Sequence, residues 1–179
     1  MLRTARLGDE DGLARVHVDT WRTTYQGLIA QEYLDSMNYD AWATRWKTSL
    51  GDKSNVVIVV ETAQRKIVGF ALGGPNRERD SNREGGATYS GELYAIYIVK
   101  EYQRKGFGRL LIKTMAARLR NRGFHSMIVW MLGGNQADKF YESLGGQKLG
   151  SKEVEIAAQS HEVVAYGWLD TTDLACGVV

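Results

Sequence analysis

Residues 2–7 alternate apolar and polar as a short strand does, and Asp9 then caps a helix that places Leu13, Val16, His17, Thr20 and Trp21 on one face. The stretch 21–27 interrupts that period and predicts a turn or an irregular bend. A second helical region over about 31–49 carries Leu34, Met37, Trp42 and Trp46, with a break near Asn38, Tyr39 and Asp40. The β-branched run Val56-Val57-Ile58-Val59-Val60 predicts a buried strand over 55–61, and residues 64–66 turn the chain so that 67–73 returns as the other arm of a hairpin. Residues 75–86 are polar, end in glycine and nearly balance in charge, which predicts a mobile surface loop.

A strand follows over 92–99, then a helix over about 106–123 with Phe107, Leu110, Leu111, Met115 and Leu119 on one face and Gly123 at its end. Residues 125–132 are again strand-like, and 135–144 are helical, with Ala137, Phe140, Tyr141 and Leu144 at the right intervals. Segments 147–157 and 162–169 close the chain as an antiparallel pair. The order β-α-α-β-β-β-α-β-α-β-β describes an α/β (α+β) protein, a mixed sheet with helices on its faces. No repeat or linker divides the chain, so we expect one domain over 1–170 and a short tail over 171–179.

Composition narrows the partners. Hydrophobic residues at 44% and charged residues at 25% give a chain able to bury a core. A net charge of +2 calls for neither a nucleic acid nor an anionic membrane surface. Cys176 alone excludes an intramolecular disulfide and a multi-cysteine metal site, and His17, His125 and His161 lack ligand spacing, so no metal is expected. With no apolar run near the ~20 residues of a membrane span and no apolar signal core at the start, the expected location is cytoplasmic.

The central unit is the strand 92–99, the turn 100–105, the helix 106–123 and the strand 125–132. A crossover of this length makes the two strands parallel and puts the helix N-terminus at the carboxyl end of the first. There the first helical amides lack intrahelical partners and the helix dipole adds partial positive charge. Gly106 and Gly108 admit an anion to the backbone, and Arg104, Lys105 and Arg109 surround it with full charges. These features describe a seat for a diphosphate. Leu111 stands where a dinucleotide turn needs its third glycine, and Gly108-Arg109-Leu110 does not supply a P-loop.

The turn Gln103-Arg104-Lys105-Gly106-Phe107-Gly108 resembles the phosphate turn of the Gcn5-related N-acetyltransferase superfamily, [QR]-x-x-G-x-[GA]. A second match lies downstream, where Asn135, Ala137, Phe140-Tyr141 and Leu144-Gly145 follow the family order. Departures are Gly146, where relatives often carry Phe, and Lys100, where Pro is frequent. The resemblance implies the acyl-CoA N-acyltransferase fold: a mixed, mostly antiparallel central sheet with a parallel βαβ cofactor unit. It implies acetyl-coenzyme A as donor and no metal. It further implies that the pantetheine arm pairs with backbone groups of Ile96, Tyr97 and Ile98, that the amides from Arg104 through Arg109, including Phe107, take the diphosphate, and that Asn135 contacts the cofactor arm.

Amide formation from a thioester needs a neutral amine, a stabilised oxyanion and a proton for the leaving thiolate. Family position assigns the last service to Tyr141, a phenol that keeps its proton at neutral pH, and gives the oxyanion a backbone amide of 96–98. Glu92, at the start of the strand, is the candidate base, with a solvent-facing edge glutamate as the alternative; Glu101 reads as a solvated loop charge. The family places the acceptor cleft by Trp21 and Tyr25, with Trp130 and the tip of the 75–86 loop as further candidates; core packing is the competing role for Trp21 and Tyr25. The acceptor is then the amine of a small molecule or peptide, and a homodimer is compatible with the aromatic surplus. A non-catalytic acyl-coenzyme A binding or sensing module is the alternative function.

Overall fold

The computed structural model describes residues 1–78 and 89–176. The tip of the expected 75–86 loop lies outside the described residues. The strands are β1 (Leu2–Thr4), β2 (Val56–Glu61), β3 (Ile67–Pro75), β4 (Gly91–Ile98), β5 (Met127–Leu132), β6 (Gln147–Ile156) and β7 (Gln159–Trp168). The helices are α1 (Glu10–Thr24), α2 (Gln31–Ser36), α3 (Tyr39–Gly51), α4 (Phe107–Arg120), α5 (Asp138–Glu142) and α6 (Thr172–Ala175). The strands form one mixed, mostly antiparallel sheet in the order β1-β2-β3-β4-β5-β7-β6. The chain resolves into two compact units, one of residues 1–72 and 95–111, the other of residues 73–94 and 112–179.

In the first unit, Leu13, Ala14 and Val16 of α1 pack with Trp46 of α3, Val57 and Val59 of β2, and Ile67 and Phe70 of β3. Each fully buried aliphatic or aromatic side chain of this kind contributes about 1.5–3 kcal/mol. Asp9 occupies the residue before α1, but its side chain does not cap the helix. Its carboxylate instead takes Arg3 Nη1 at 2.7 Å, Arg3 Nη2 at 2.9 Å and the Arg6 amide at 2.8 Å, which ties β1 to the helix start. The helix also runs three residues past the predicted break at Trp21, with Thr23 Oγ1 donating back to the Asp19 carbonyl at 3.0 Å. The bend follows at Tyr25, whose carbonyl accepts the amides of Leu28 and Ile29 at 3.0 Å. The expected break near 38–40 is the gap between α2 and α3, where Asn38 Oδ1 accepts the Ala41 amide at 3.0 Å. Arg22 of α1 closes α2 by donating to the carbonyls of Leu34 at 3.1 Å and Met37 at 2.8 Å.

In the second unit, β4 and β5 pair in parallel with Glu92 opposite Ile128, and the register ends at Leu93↔Val129 while β4 continues to Ile98. By strand alternation Glu92, Tyr94, Ile128 and Trp130 share one face. On that face Tyr89, Ile128 and Ala165 form a small buried cluster with Trp130 against it. The two closing strands are antiparallel, as their pattern predicts. Strand β7 inserts between β5 and β6, so Val163 to Trp168 are all buried while β6 stays largely exposed.

Candidate active site

The predicted diphosphate turn belongs to the first unit. A short 3-10 turn over Lys100–Tyr102 leads out of β4, and α4 begins at Phe107. Between them Arg104 (φ 60°) and Gly106 (φ 85°) both adopt left-handed backbone. A β-carbon at Gly106 would have no atom within 4 Å, so the position is open to an approaching group. The Gly106 carbonyl accepts the Leu110 amide at 3.1 Å, which makes it the first acceptor of the helix. The amides of Phe107, Gly108 and Arg109 then precede the helical ladder. Arg104, Lys105 and Arg109 are exposed around this turn, and Lys105 rests over the Tyr102 ring at 5.0 Å. These features fit an oxyanion such as a diphosphate. Gln103 Nε2 donates to the Ile98 carbonyl at 2.8 Å and holds the turn against the end of β4.

Trp21 and Tyr25 stand one helical turn apart in the same unit, with ring centroids 5.0 Å apart and nearly perpendicular. Tyr25 is buried, and that burial raises its phenol above the usual range, with a hydrogen bond to Tyr97 opposing the rise. His17 lies 7% exposed in an aromatic box, stacked on Trp42 at 3.7 Å and meeting the Tyr97 ring at 5.2 Å. Neither ring nitrogen of His17 has a hydrogen-bond partner among the described residues. Burial, with a further push from the Arg45 charge, lowers His17 to about 3, so the ring is neutral at physiological pH. A groove of about 740 Å³ in this unit, lined by Gly12, Arg15, Asp19, Thr23, Arg65 and Glu101 among others, contains none of the predicted site residues.

The second unit holds the other candidates. Glu92 is only 2% exposed, so it is not a solvent-facing edge carboxylate. Its Oε2 accepts the Arg77 amide at 3.0 Å, and both carboxylate oxygens take Arg77 Nε at 3.2 Å. Arg77 Nη2 pairs with Oε1 as well. The guanidinium lies over the Tyr94 ring at 4.3 Å, and the Tyr94 hydroxyl donates to the Pro75 carbonyl at 2.5 Å. Trp130 is similarly occupied: the Lys152 ammonium sits 3.9 Å over its ring and pairs with Glu78. Arg77, Tyr94 and Lys152 carry no sequence motif. The one available hint was the placement of Tyr94 two residues beyond Glu92 on the same strand face.

Tyr141 is 5% exposed on α5. Its ring stacks on Tyr166 at 5.5 Å and meets the edge of Trp168 at 6.3 Å. The Tyr166 hydroxyl donates to Asp138 Oδ1 at 2.6 Å, and this bond together with burial pushes it up to about 12. Asn135 lies half-buried in the turn after β5, its amide donating to the Leu132 carbonyl at 3.2 Å. Among the described residues no cluster of histidine, cysteine and carboxylates is arranged to hold a metal, and no helix is long and apolar enough to cross a membrane.

Residues 84–155 match the family model described as FR47-like protein. The chain is 39% identical over 173 residues to the uncharacterized N-acetyltransferase YuaI of Bacillus subtilis (strain 168), covering 97% of this chain and 95% of that one. The chain belongs to the Gcn5-related N-acetyltransferase superfamily. Solved structures agree in fold. A ribosomal-protein-alanine N-acetyltransferase from Brucella melitensis superposes with a TM-score of 0.71 at 22% identity, over 94% of this chain and 98% of the other. The PaiA N-acetyltransferase from Thermoplasma acidophilum, solved with coenzyme A, gives 0.67 at 15% identity, over 94% and 98%. As a member of this superfamily the protein is an acyltransferase with acetyl-coenzyme A as donor.

Local packing explains the departure from the family pattern at Gly146. A β-carbon there would lie 2.8 Å from Trp168 Cζ2 and 3.0 Å from the Tyr141 carbonyl. In this acetyltransferase the Trp168 indole, anchored by Nε1 to the Leu144 carbonyl at 2.8 Å, fills the space beside residue 146.

Proposed function

We propose that this enzyme transfers an acetyl group to the amine of a small molecule or peptide by direct attack, with Tyr141 as general acid and Glu92 as general base. The observation that carries the reading is the open left-handed turn at Arg104–Gly106, which leads into the α4 N-terminus with basic side chains around it. The amides from Arg104 through Arg109 hold the diphosphate, with Gln103 bracing the turn. The backbone of Ile96, Tyr97 and Ile98 and the side chain of Asn135 orient the pantetheine arm. Bound acetyl-coenzyme A would supply the activated thioester, and coenzyme A would leave as the thiol.

The chain's own groups then manage protons. Tyr141, by its family position and as a phenol that keeps its proton at neutral pH, donates to the departing sulfur; the Tyr166 ring stacked on it gives its own proton to Asp138. Glu92 removes a proton from the acceptor ammonium, whose pKa near ~10 would otherwise keep it unreactive at neutral pH. Trp21, Tyr25 and Trp130 bound the acceptor. The test is thiol release from acetyl-coenzyme A over a broad panel of amines, with coenzyme A binding measured alongside. Release with at least one amine is expected. Tight binding with no release over the whole panel would instead support the sensing module.

A further inference from the structure

A buried carboxylate that is to accept a proton from an incoming ammonium must have somewhere for that cation to sit. In the second unit that place already holds a cation belonging to the chain. Glu92, 2% exposed, and the face of Tyr94 flank the Arg77 guanidinium, the carboxylate on one side and a π-face on the other. Carboxylate plus aromatic face is the chemistry that recognises an organic cation.

The contacts Arg77 makes to Glu92 fall into two separable sets, one from its backbone amide and one from its guanidinium. Its backbone amide donates to Oε2 at 3.0 Å, and that backbone is fixed on both sides. The Asn76 amide donates to the Ser90 carbonyl at 3.0 Å, Asn76 Nδ2 to the Tyr89 carbonyl at 2.9 Å, and the Glu78 amide to Asn76 Oδ1 at 3.0 Å. The guanidinium, by contrast, ends a side chain that is 63% exposed. It can swing into water while the amide continues to hold Oε2. That movement leaves Oε1 and the Tyr94 ring facing a vacated cation position.

We propose that Arg77 is a displaceable occupant of the acceptor's ammonium subsite: an alkylammonium substrate replaces the guanidinium between Glu92 and Tyr94. This rests on the acetyltransferase reading of Glu92 and sharpens it. The acceptors are amines that arrive protonated, alkyl amines rather than weakly basic aromatic amines. Arg77 is a specificity-determining residue that screens neutral molecules out of the site. The proton moves from the bound ammonium nitrogen to a Glu92 carboxylate oxygen, freeing the lone pair for attack, and Arg77 takes no part in bond making.

The test reads displacement directly, without turnover. The Arg77 Nε–H resonance, assigned by its loss in Arg77→Lys, is followed while n-butylammonium, 1,4-butanediammonium or uncharged n-butanol is added to the whole protein. The ammonium probes are expected to move or broaden that resonance saturably, and n-butanol to leave it unchanged. In Arg77→Ala, where the competitor is gone, the ammonium probes should bind about two- to fivefold tighter by calorimetry, the range expected for an exposed partner of an ion pair. Added methylguanidinium should compete with them in that variant. A resonance that stays put at saturating ammonium overturns the proposal, as do weaker binding in Arg77→Ala and failure of both ammonium probes to bind. Coenzyme A binding, measured on the same samples, separates these failures from failure of the acetyltransferase reading.

Discussion

Gly106→Val tests the diphosphate seat with an internal control. Gly106 has φ 85°, and a β-carbon there meets nothing within 4 Å, so the substitution introduces backbone strain and no clash. A β-branched residue in the left-handed region costs about 1–3 kcal/mol. Fewer unfolded conformations return about 0.4–1 kcal/mol, which leaves a net loss of about 1–2 kcal/mol. For a chain of this size that lowers Tm by about 2–8 °C. Gly123, at the other end of the α4 segment, has φ 86° and equally open space, so Gly123→Val should lose a similar amount. The ligand separates the two variants. When residue 106 relaxes out of the left-handed region, the amides following it lose their aim. Losing one charge-assisted hydrogen bond, about 1.5–3 kcal/mol, weakens coenzyme A binding about ten- to a hundredfold. Titration calorimetry with coenzyme A should show that loss for Gly106→Val and affinity within about twofold of the parent for Gly123→Val. Equal affinities in the two variants would remove the anion seat from this turn.

Three further outcomes follow from the packing. Tyr141→Phe is expected to lower turnover by about 10²–10⁴-fold while leaving coenzyme A affinity unchanged, and parallel losses in both would refute its role as acid. Gly146→Phe should destabilise by about 1–3 kcal/mol in denaturant melts because Trp168 occupies the space, and combining it with Trp168→Ala should recover part of that loss. His17 titrates at about 3 when folded against 6.5 ordinarily, so the unfolded chain binds the extra proton and stability falls as pH drops from 6.5 towards 3. His17→Phe should flatten that decline by up to about 1.4 kcal/mol per pH unit, and an unchanged slope in pH-resolved melts would sink the assignment.

Most elements were legible because their signals are local. Asn38 marks the break between α2 and α3 through a cap contained within four residues, and Gly106 marks its turn through a backbone preference of its own. Errors arose where a distant partner decided the outcome. Asp9 sits in a capping position, but Arg3 takes its carboxylate. The stretch 21–27 reads as a break, yet the helix persists through Thr24 and the backbone turns only over Tyr25 to Gly27. Periodicity identified β6 and β7 but could not say which lies beside β5; the unbroken apolar stretch from Val163 to Trp168, buried on both faces, is the trace of that choice. At the candidate site, Glu92 and Tyr141 could be nominated from family position. The Arg77–Glu92 pair could not, because its partners lie 15 residues apart and one of them emerges from a segment with no hydrophobic period.

The placement of β7 has a consequence for biosynthesis. Strand β5, Met-Ile-Val-Trp-Met-Leu, is uncharged, lacks proline and is rich in β-formers. Its outer edge is covered by β7, and β6 reaches β5 only through β7. During translation β6 therefore emerges with no strand to join, and the β5 edge waits bare until residues 159–168 clear the ribosome. The last of the seven strands to be made is the one that covers this apolar edge, so a chain released with its end between residues 133 and 158 leaves β5 bare and open to pairing with another chain.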